Sequence, residues 1–316
     1  MNNILITGGC GFIGFNFIQY LVSLKLNNVK IINVDKITYA SLPYFDEKMK
    51  YFKENNIINY PCDICNYKEI KEIIEYHKIN GIINFAAETH VDNSIKNPDV
   101  FIKSNIEGVL NLLKLSNEFG LRFHQISTDE VYGSVDPVKD IVDENFKYNA
   151  SSPYSSSKAG ADLLALSFYK TYGTKITISR CTNNYGRYQH EEKLIPKVIF
   201  NIKNNIKIPV YGDGKQMRNW IHVIDHCDAI WKIYNNGKIG EIYNVGSDTL
   251  ITNIELIKHI IQQLNSSEEL IEHVTDRPGH DLCYHLCSKK IQNELNWEQK
   301  ITFNEGIHDL LQFEFK

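Results

Sequence analysis

Apolar positions along the first 180 residues follow two alternating periods. Asn2–Thr7, Lys30–Asp35, Ile57–Tyr60, Gly81–Ala87, Phe123–Ser127 and Lys175–Arg180 are short β-rich runs and predict strands. Between them, Phe15–Leu24, Tyr67–His77, Val100–Phe119 and Ser155–Tyr172 carry apolar residues at helical spacing. Strands alternating with helices of this length predict an α/β fold, a doubly wound, mostly parallel sheet covered on both faces with right-handed crossovers. Beyond residue 183 the pattern weakens. The loops TNNYG, KIPVYGDG, NNGKIG and DRPGHD separate two clear helical stretches, Leu194–Lys203 and Ile254–Leu264. Residues 1–182 are expected to form the sheet domain, with later segments returning to it. Residues 183–316 are expected to form mainly a smaller lobe of loops, small helices and some strands.

The first βα turn carries Gly8, Gly11 and Gly14, spaced G-x-x-G-x-x-G between strand and helix. A tight turn, close approach of backbone to a pyrophosphate and a helix N-terminus aimed at the phosphates all need glycine there. Asp35 ends the second strand, where a carboxylate accepts from an adenosine ribose and repels a 2′-phosphate, favouring NAD over NADP; Lys36 beside it softens the discrimination. Three glycines near a turn can be turn chemistry alone, but here the strand, the helix and the acid are all in place. Asp63-Ile64 follows the third strand, where an Asp either meets an adenine amine or caps the next helix. Cys10, inside the glycine loop, is read as a small side chain beside phosphate.

Tyr154 and Lys158 form Y-x-x-x-K, the i,i+4 spacing that places both on one helix face. An ammonium near the phenol would lower its pKa and make Tyr154 a base for a sugar hydroxyl, while Lys158 also binds the nicotinamide ribose. Alone, such a pair is ordinary surface chemistry. It gains meaning from Ser127-Thr128-Asp129-Glu130, at the carboxyl end of a central strand, where open α/β sheets bind ligands. One acid and one base are what removing water across two carbons requires, and burial can keep one carboxyl protonated.

The chain has 316 residues, with 34 Lys and Arg against 38 Asp and Glu, a net charge of -4, 43% hydrophobic and 23% charged positions. That balance suits a globular protein and argues against a nucleic-acid binder, which usually carries a basic face. The seven scattered cysteines show no disulfide framework, and Cys62 and Cys65 have no matching second pair, so no metal site is expected. No signal segment or membrane-length apolar run is visible, and a cytoplasmic location is expected.

Taken together, ILITGGCGFIG, AAETHVDNSI, ISTDEVYGS, SPYSSSKAGADLL, RCTNNYGRYQHEEKLIP, VYGDGKQMRNWIHVIDHCDAI, YNVGS and VTDRPGHD run in order over nearly the whole chain. They resemble the nucleoside-diphosphate-glucose 4,6-dehydratases of the extended short-chain dehydrogenase/reductase superfamily. The resemblance implies a Rossmann-type fold with a smaller C-terminal substrate-binding lobe, bound NAD and a hydro-lyase acting on dTDP-glucose or UDP-glucose. It implies catalytic roles for Thr128, Asp129 (acid at carbon 6), Glu130 (base at carbon 5), Tyr154 and Lys158. Cofactor contacts would come from Gly8, Gly11, Phe12, Ile13, Gly14, Asp35, Lys36, Asp63, Ile64, Ala86, Tyr154 and Lys158. Substrate contacts would come from Thr89, His90, Asn183, Lys193, Leu194, Arg218, Arg277 and His280. A homodimer through a four-helix bundle is implied, consistent with apolar residues on two helices: Phe101, Ile102, Val109, Leu112 and Leu113, and Leu163, Leu164, Leu166 and Phe168. The chain departs from the family at Asn93 (often Arg), Arg187 (often Pro) and Leu282–Cys287, which puts the nucleotide side, not Thr128 to Glu130, in doubt. A 4-epimerase or decarboxylase of the same superfamily, and a non-catalytic NAD-binding scaffold, are the alternatives; Asp129 and Glu130 speak against the first two and the intact Tyr154–Lys158 pair against the third.

Overall fold

The computed structural model describes residues 2–140 and 142–314. Its first strands are β1 (Asn2–Thr7), β2 (Val29–Asp35), β3 (Ile58–Pro61), β4 (Gly81–Asn84), β5 (Arg122–Thr128) and β6 (Ile176–Cys181). They are followed by β7 (Asn183–Tyr185), β8 (Ile208–Tyr211), β9 (Met217–His222), β10 (Ile242–Val245), β11 (Leu250–Thr252), β12 (Ile271–Val274) and β13 (Cys283–Tyr284).

Seven strands pair, all parallel, in the order β10-β6-β5-β4-β1-β2-β3. Alternation decides which side chain meets which helix layer. Leu5, Ile32, Ile82 and Phe123 pack against Ile70, Ile73, Leu112 and Ala161 on one face. Ile4, Ile6 and Ile83 meet Phe15, Phe17, Val223 and Ile230 on the other. Chain order reverses between β1 and β4, which opens a crevice at the carboxyl edge of the sheet. A buried polar ladder crosses that reversal: the Thr7 hydroxyl donates to Asn84 Oδ1 at 2.5 Å, and Asn84 Nδ2 to Gln125 Oε1 at 2.9 Å.

The later part is more regular than the sequence pattern suggests. Val223–Asn236 is a helix capped by the His222 ring, and it lies on Phe12–Ser23. Its pattern was obscured because Asp225 and His226 are buried polar residues: backbone N–H groups of Lys300 and Ile301 donate to the Asp225 carboxylate. Strand β10 returns to the main sheet. The rest forms a lobe in which β9 pairs with β7, β11 and β13, and β8 with β12. Helices Leu194–Lys203, Asn253–Gln263 and Phe303–Glu314 share its core with Trp220 and Val210. The helix expected over Val100–Phe119 is continuous but contains a π-helical segment, Lys103–Gly108, a wide turn that brings Ser104 to the crevice and Asn105 behind its wall.

Behind β5, a fully buried cation holds the sheet edge. Arg180 donates from Nε to Asp162 at 2.9 Å and from Nη1 to the Tyr132 hydroxyl at 2.6 Å, and its guanidinium stacks on the Tyr132 and Tyr148 rings. Removing one partner of a buried pair leaves an uncompensated charge. Asp162→Ala is therefore expected to cost about 3–5 kcal/mol in urea unfolding, whereas removal of the exposed Lys50–Glu54 pair should cost under about 1 kcal/mol.

Candidate active site

The crevice is a cavity of about 540 Å³ between sheet edge and lobe. Every site residue named from the sequence lines it. One end is built by the glycine loop. Gly8 has φ +73°, and a Cβ on it would lie 2.6 Å from the Ala86 nitrogen; one on Gly14 would lie 2.4 Å from the Gly8 carbonyl oxygen. Gly11 begins the helix with no side-chain cap, so the first N–H groups face the cavity with no competing side chain.

Asp35 sits beside this loop. Its carboxylate accepts from the Cys10 N–H (2.9 Å), the Ile37 N–H (2.8 Å) and the Ser41 hydroxyl (3.1 Å), leaving part of its acceptor capacity. Lys36 is tied to Glu88 (2.8 Å) and Ser104 (2.9 Å). Asn105 in turn bridges both backbone groups of Glu88 and the Ser157 hydroxyl, so the π-helical turn braces this wall. Two readings are corrected. The Cys10 side chain is fully buried and meets Asn33 rather than the cavity. Asp63 accepts from the Cys65 N–H, while Asn66 caps the next helix.

At the centre, Thr128, Asp129 and Glu130 end β5 and start a 3₁₀ turn. Pro153–Tyr172, opened by a Ser152–Ser155 capping box, carries Tyr154 and Lys158 beneath them. Asp129 is 3% exposed, and one carboxylate oxygen has no partner. Burial, then the neighbouring Glu130 charge, raises its pKa to about 8, which outweighs the Thr128 hydroxyl that donates to it. Burial also raises Glu130, but that carboxylate faces the positive charges of Arg218, Arg277 and Lys193, which pull it back toward ionisation. Burial thus raises both adjacent acids, opposed by Arg218 at Asp129 and by Arg218, Arg277 and Lys193 at Glu130.

The Tyr154–Lys158 relation differs from the expectation. Lys158 Nζ donates to the Ile126 carbonyl at 2.6 Å, and burial lowers its pKa. The phenol is raised well above its ordinary value by burial and by Glu130, with the Thr128 hydroxyl opposing. Whatever Lys158 contributes does not outweigh burial and Glu130 in this arrangement, and its ammonium donates to the β5 backbone rather than to the phenol.

The far side belongs to the lobe. Lys193 Nζ donates to the Thr89 carbonyl at 3.0 Å, and the His90 ring caps Val91–Lys96. Arg218 is 4% exposed, bonded to the carbonyls of Met217 and Asp281 and stacked on Tyr284. No carboxylate forms a salt bridge with it among the described residues, which leaves its charge facing the cavity wall. Arg277 lies 3.5 Å from Asp92, His280 bonds Asp276 at 2.6 Å, and Leu194 and Asn183 lie along the same wall. Sequence reasoning missed Glu192, which sits 3.9 Å from both His90 and His190, and Trp220 and Asn253, whose Nε1 and Oδ1 are buried without partners. Glu192 directly precedes Lys193 in a segment already singled out, so it was within reach.

The family described as GDP-mannose 4,6 dehydratase matches residues 5–310. A dTDP-glucose 4,6-dehydratase of Haemophilus influenzae is 38% identical, over 99% of this chain and 98% of its own. The chain belongs to the nucleoside-diphosphate-glucose 4,6-dehydratase family. Its structure is similar to a Streptomyces venezuelae dTDP-glucose 4,6-dehydratase solved with NAD bound (TM-score 0.94, 35% identity, 99% and 97% of the two chains). It is also similar to the Bacillus anthracis enzyme in complex with NAD (TM-score 0.91, 39% identity, 100% and 97%). Among this dehydratase's departures, Arg187 forms a two-pronged pair with Asp309 and ties the Asn183–Lys193 segment to the last helix, and the Asn93 amide donates to the Tyr39 hydroxyl.

The raised Asp129 acid is directly observable. The infrared band of a protonated carboxyl, assigned by its loss in Asp129→Asn, is expected to vanish with a midpoint near pH 8. A midpoint near the ordinary carboxylate value would mean the site is wetter than described.

Proposed function

We propose that this chain is an NAD-dependent dTDP-glucose 4,6-dehydratase, forming dTDP-4-keto-6-deoxyglucose and water. The observation that carries the reading is the adjacent Asp129–Glu130 pair, a buried carboxyl held protonated beside a half-buried one that faces three cations, above Tyr154. The residues fit the cofactor: any Cβ at Gly8 or Gly14 would collide with the backbone of Ala86 or of Gly8 and break the tight turn that a pyrophosphate needs, and Asp35 keeps acceptor capacity toward a ribose. Gly8, Gly11, Phe12, Ile13, Gly14 and Ala86 would hold the pyrophosphate, Asp35 and Lys36 the adenosine ribose, Asp63 and Ile64 the adenine side, and Lys158 the nicotinamide ribose. Bound NAD supplies a hydride acceptor for carbon 4 of the sugar and a donor for carbon 6.

Tyr154 takes the carbon 4 hydroxyl proton, and Thr128 donates toward the same oxygen. Burial and the Glu130 charge hold the Tyr154 phenol above its ordinary value in this arrangement. The carbon 5 proton, acidified by the new ketone, goes to Glu130. Asp129 donates a proton to the leaving hydroxyl on carbon 6. The division follows from the surroundings: Arg218, Arg277 and Lys193 favour the ionised base, while Asp129, beside Glu130, favours the protonated acid. Arg218, Arg277 and His280 suit a diphosphate. Thr89, His90, Asn183, Lys193 and Leu194 line the sugar side. Trp220 Nε1 and Asn253 Oδ1 offer a donor and an acceptor to a pyrimidine edge. Thymine is preferred over uracil because the similar curated enzymes are dTDP-glucose dehydratases.

Helices Val109–Glu118 and Pro153–Tyr172, with the short turn before them, support a homodimer through a four-helix bundle. Phe101, Val109, Leu112 and Leu113 are spent on the chain's own core, but Ile102, Leu163 and Tyr172 remain 43%, 54% and 60% exposed. No helix among the described residues is long and apolar enough to cross a membrane. We place the enzyme in the cytoplasm, in keeping with its free thiols.

Glu130→Gln is expected to keep NAD binding and to let reduced cofactor accumulate on mixing with dTDP-glucose, while water loss falls about 10²–10⁴-fold. Near-normal product formation would contradict the assignment; faster turnover of UDP-glucose would reverse the base preference. Because Asp129 must be protonated, kcat should fall as pH rises through about 8, and this limb should disappear in Asp129→Asn. Equilibrium sedimentation should give a dimer that Leu163→Asp weakens; a wild-type monomer at micromolar concentration would remove the bundle.

A further inference from the structure

Lys48 is an anomaly in the fold. It lies on helix Phe45–Glu54, is completely buried, and has no part in the chemistry above. Burying an ammonium is expensive unless its protons are bonded, and a leucine or methionine would fill such a position at far lower cost. Lys48 Nζ donates to the Cys10 carbonyl at 2.8 Å and to the Ser41 carbonyl at 3.2 Å, and lies 5.9 Å from the Phe15 ring centroid. Both carbonyls belong to loops that line the dinucleotide end of the cavity, one from the glycine turn after β1, the other from the loop after β2.

The Cys10 residue is clamped from both sides. Its N–H donates to Asp35 and its carbonyl accepts from Lys48. That carbonyl shares a peptide plane with the Gly11 N–H, which donates to the Gly8 carbonyl at 3.1 Å. Fixing its oxygen therefore fixes the plane on which the helix at Phe12 begins, and with it the aim of the N–H groups offered to a pyrophosphate. Ser41 repeats the pattern: its hydroxyl donates to Asp35 and its carbonyl accepts from Lys48. Asp35 and Lys48 are thus opposite charges joined through the same two residues. Burial lowers the Lys48 pKa, and the carboxylates of Asp35 and Glu47 oppose that lowering.

We infer that Lys48 is a positioning residue for the dinucleotide: its ammonium, from behind the glycine turn, locks the Cys10–Gly11 peptide and the Ser41 loop into the geometry that binds NAD. It touches the cofactor nowhere and acts through these two carbonyls and Asp35. The inference rests on the NAD-dependent reading above.

The test is titration of nucleotide-free wild type, Lys48→Met and Lys48→Arg with NAD and, separately, with dTDP, by calorimetry. Lys48→Met keeps the volume and removes the charge. It is expected to weaken NAD binding about tenfold or more, the effect of losing hydrogen bonds from a charged donor, and to leave dTDP affinity within about twofold. Lys48→Arg should recover most of the loss. Unchanged NAD affinity in folded Lys48→Met, or an equal fall for dTDP, would overturn the inference, since either describes a residue that only packs. If Lys48→Met does not fold, the same two titrations on Lys48→Gln, which keeps a neutral donor, decide by the same criteria. A wild type that does not bind NAD would instead defeat the functional reading beneath the inference.

Discussion

Two carboxyl groups at consecutive positions cannot both be buried and both be charged, and much of this structure follows from how that conflict is resolved. Asp129 and Glu130 leave β5 in a 3₁₀ turn, so their side chains diverge into different surroundings. Asp129 is enclosed, with one oxygen on the Thr128 hydroxyl and the other unpartnered. Glu130 looks across the cavity at Arg218, Arg277 and Lys193. The lobe therefore contributes more than a lid. Its cations pull a carboxylate at the end of a sheet strand toward ionisation, against the burial that raises both acids.

The same edge shows how a parallel sheet concentrates chemistry. The loops after β1, β2, β4, β5 and β6 all open toward one cavity because all seven strands run the same way. The bracing behind that edge is polar and buried: the Thr7–Asn84–Gln125 ladder, Arg180 with Asp162, and Asn105 from the π-helical turn. Such networks are costly if half satisfied, so each one restricts the arrangements the edge can adopt. Lys48 extends this logic to the dinucleotide end.

The sheet domain was legible in the sequence because its strands are short apolar runs between amphipathic helices, a signal that needs no tertiary information. Gly8, Asp35, Asp63 and Thr128–Glu130 were legible as cavity-lining candidates because they sit where strands end. What escaped reading depended on tertiary contacts. Val223–Asn236 buries Asp225 and His226, whose partners lie far along the chain, at Lys300 and on β7. The π-helical turn leaves no trace in a periodic pattern that simply continues across it. The Tyr154–Lys158 relation was misjudged because spacing puts two side chains on one face without saying what else competes for the ammonium, here the Ile126 carbonyl. Lys48 gave no signal at all: on an amphipathic helix a lysine reads as solvent-facing.

The central claim is that surroundings divide the labour between neighbouring acids, and isotope exchange tests it most directly. The wild type, Asp129→Asn and Glu130→Gln would be incubated with dTDP-glucose in heavy water, and deuterium at carbon 5 followed by mass spectrometry and NMR. The account predicts that Asp129→Asn still exchanges the carbon 5 proton while losing water slowly, and that Glu130→Gln does not exchange it. Exchange retained in Glu130→Gln and abolished in Asp129→Asn would contradict it.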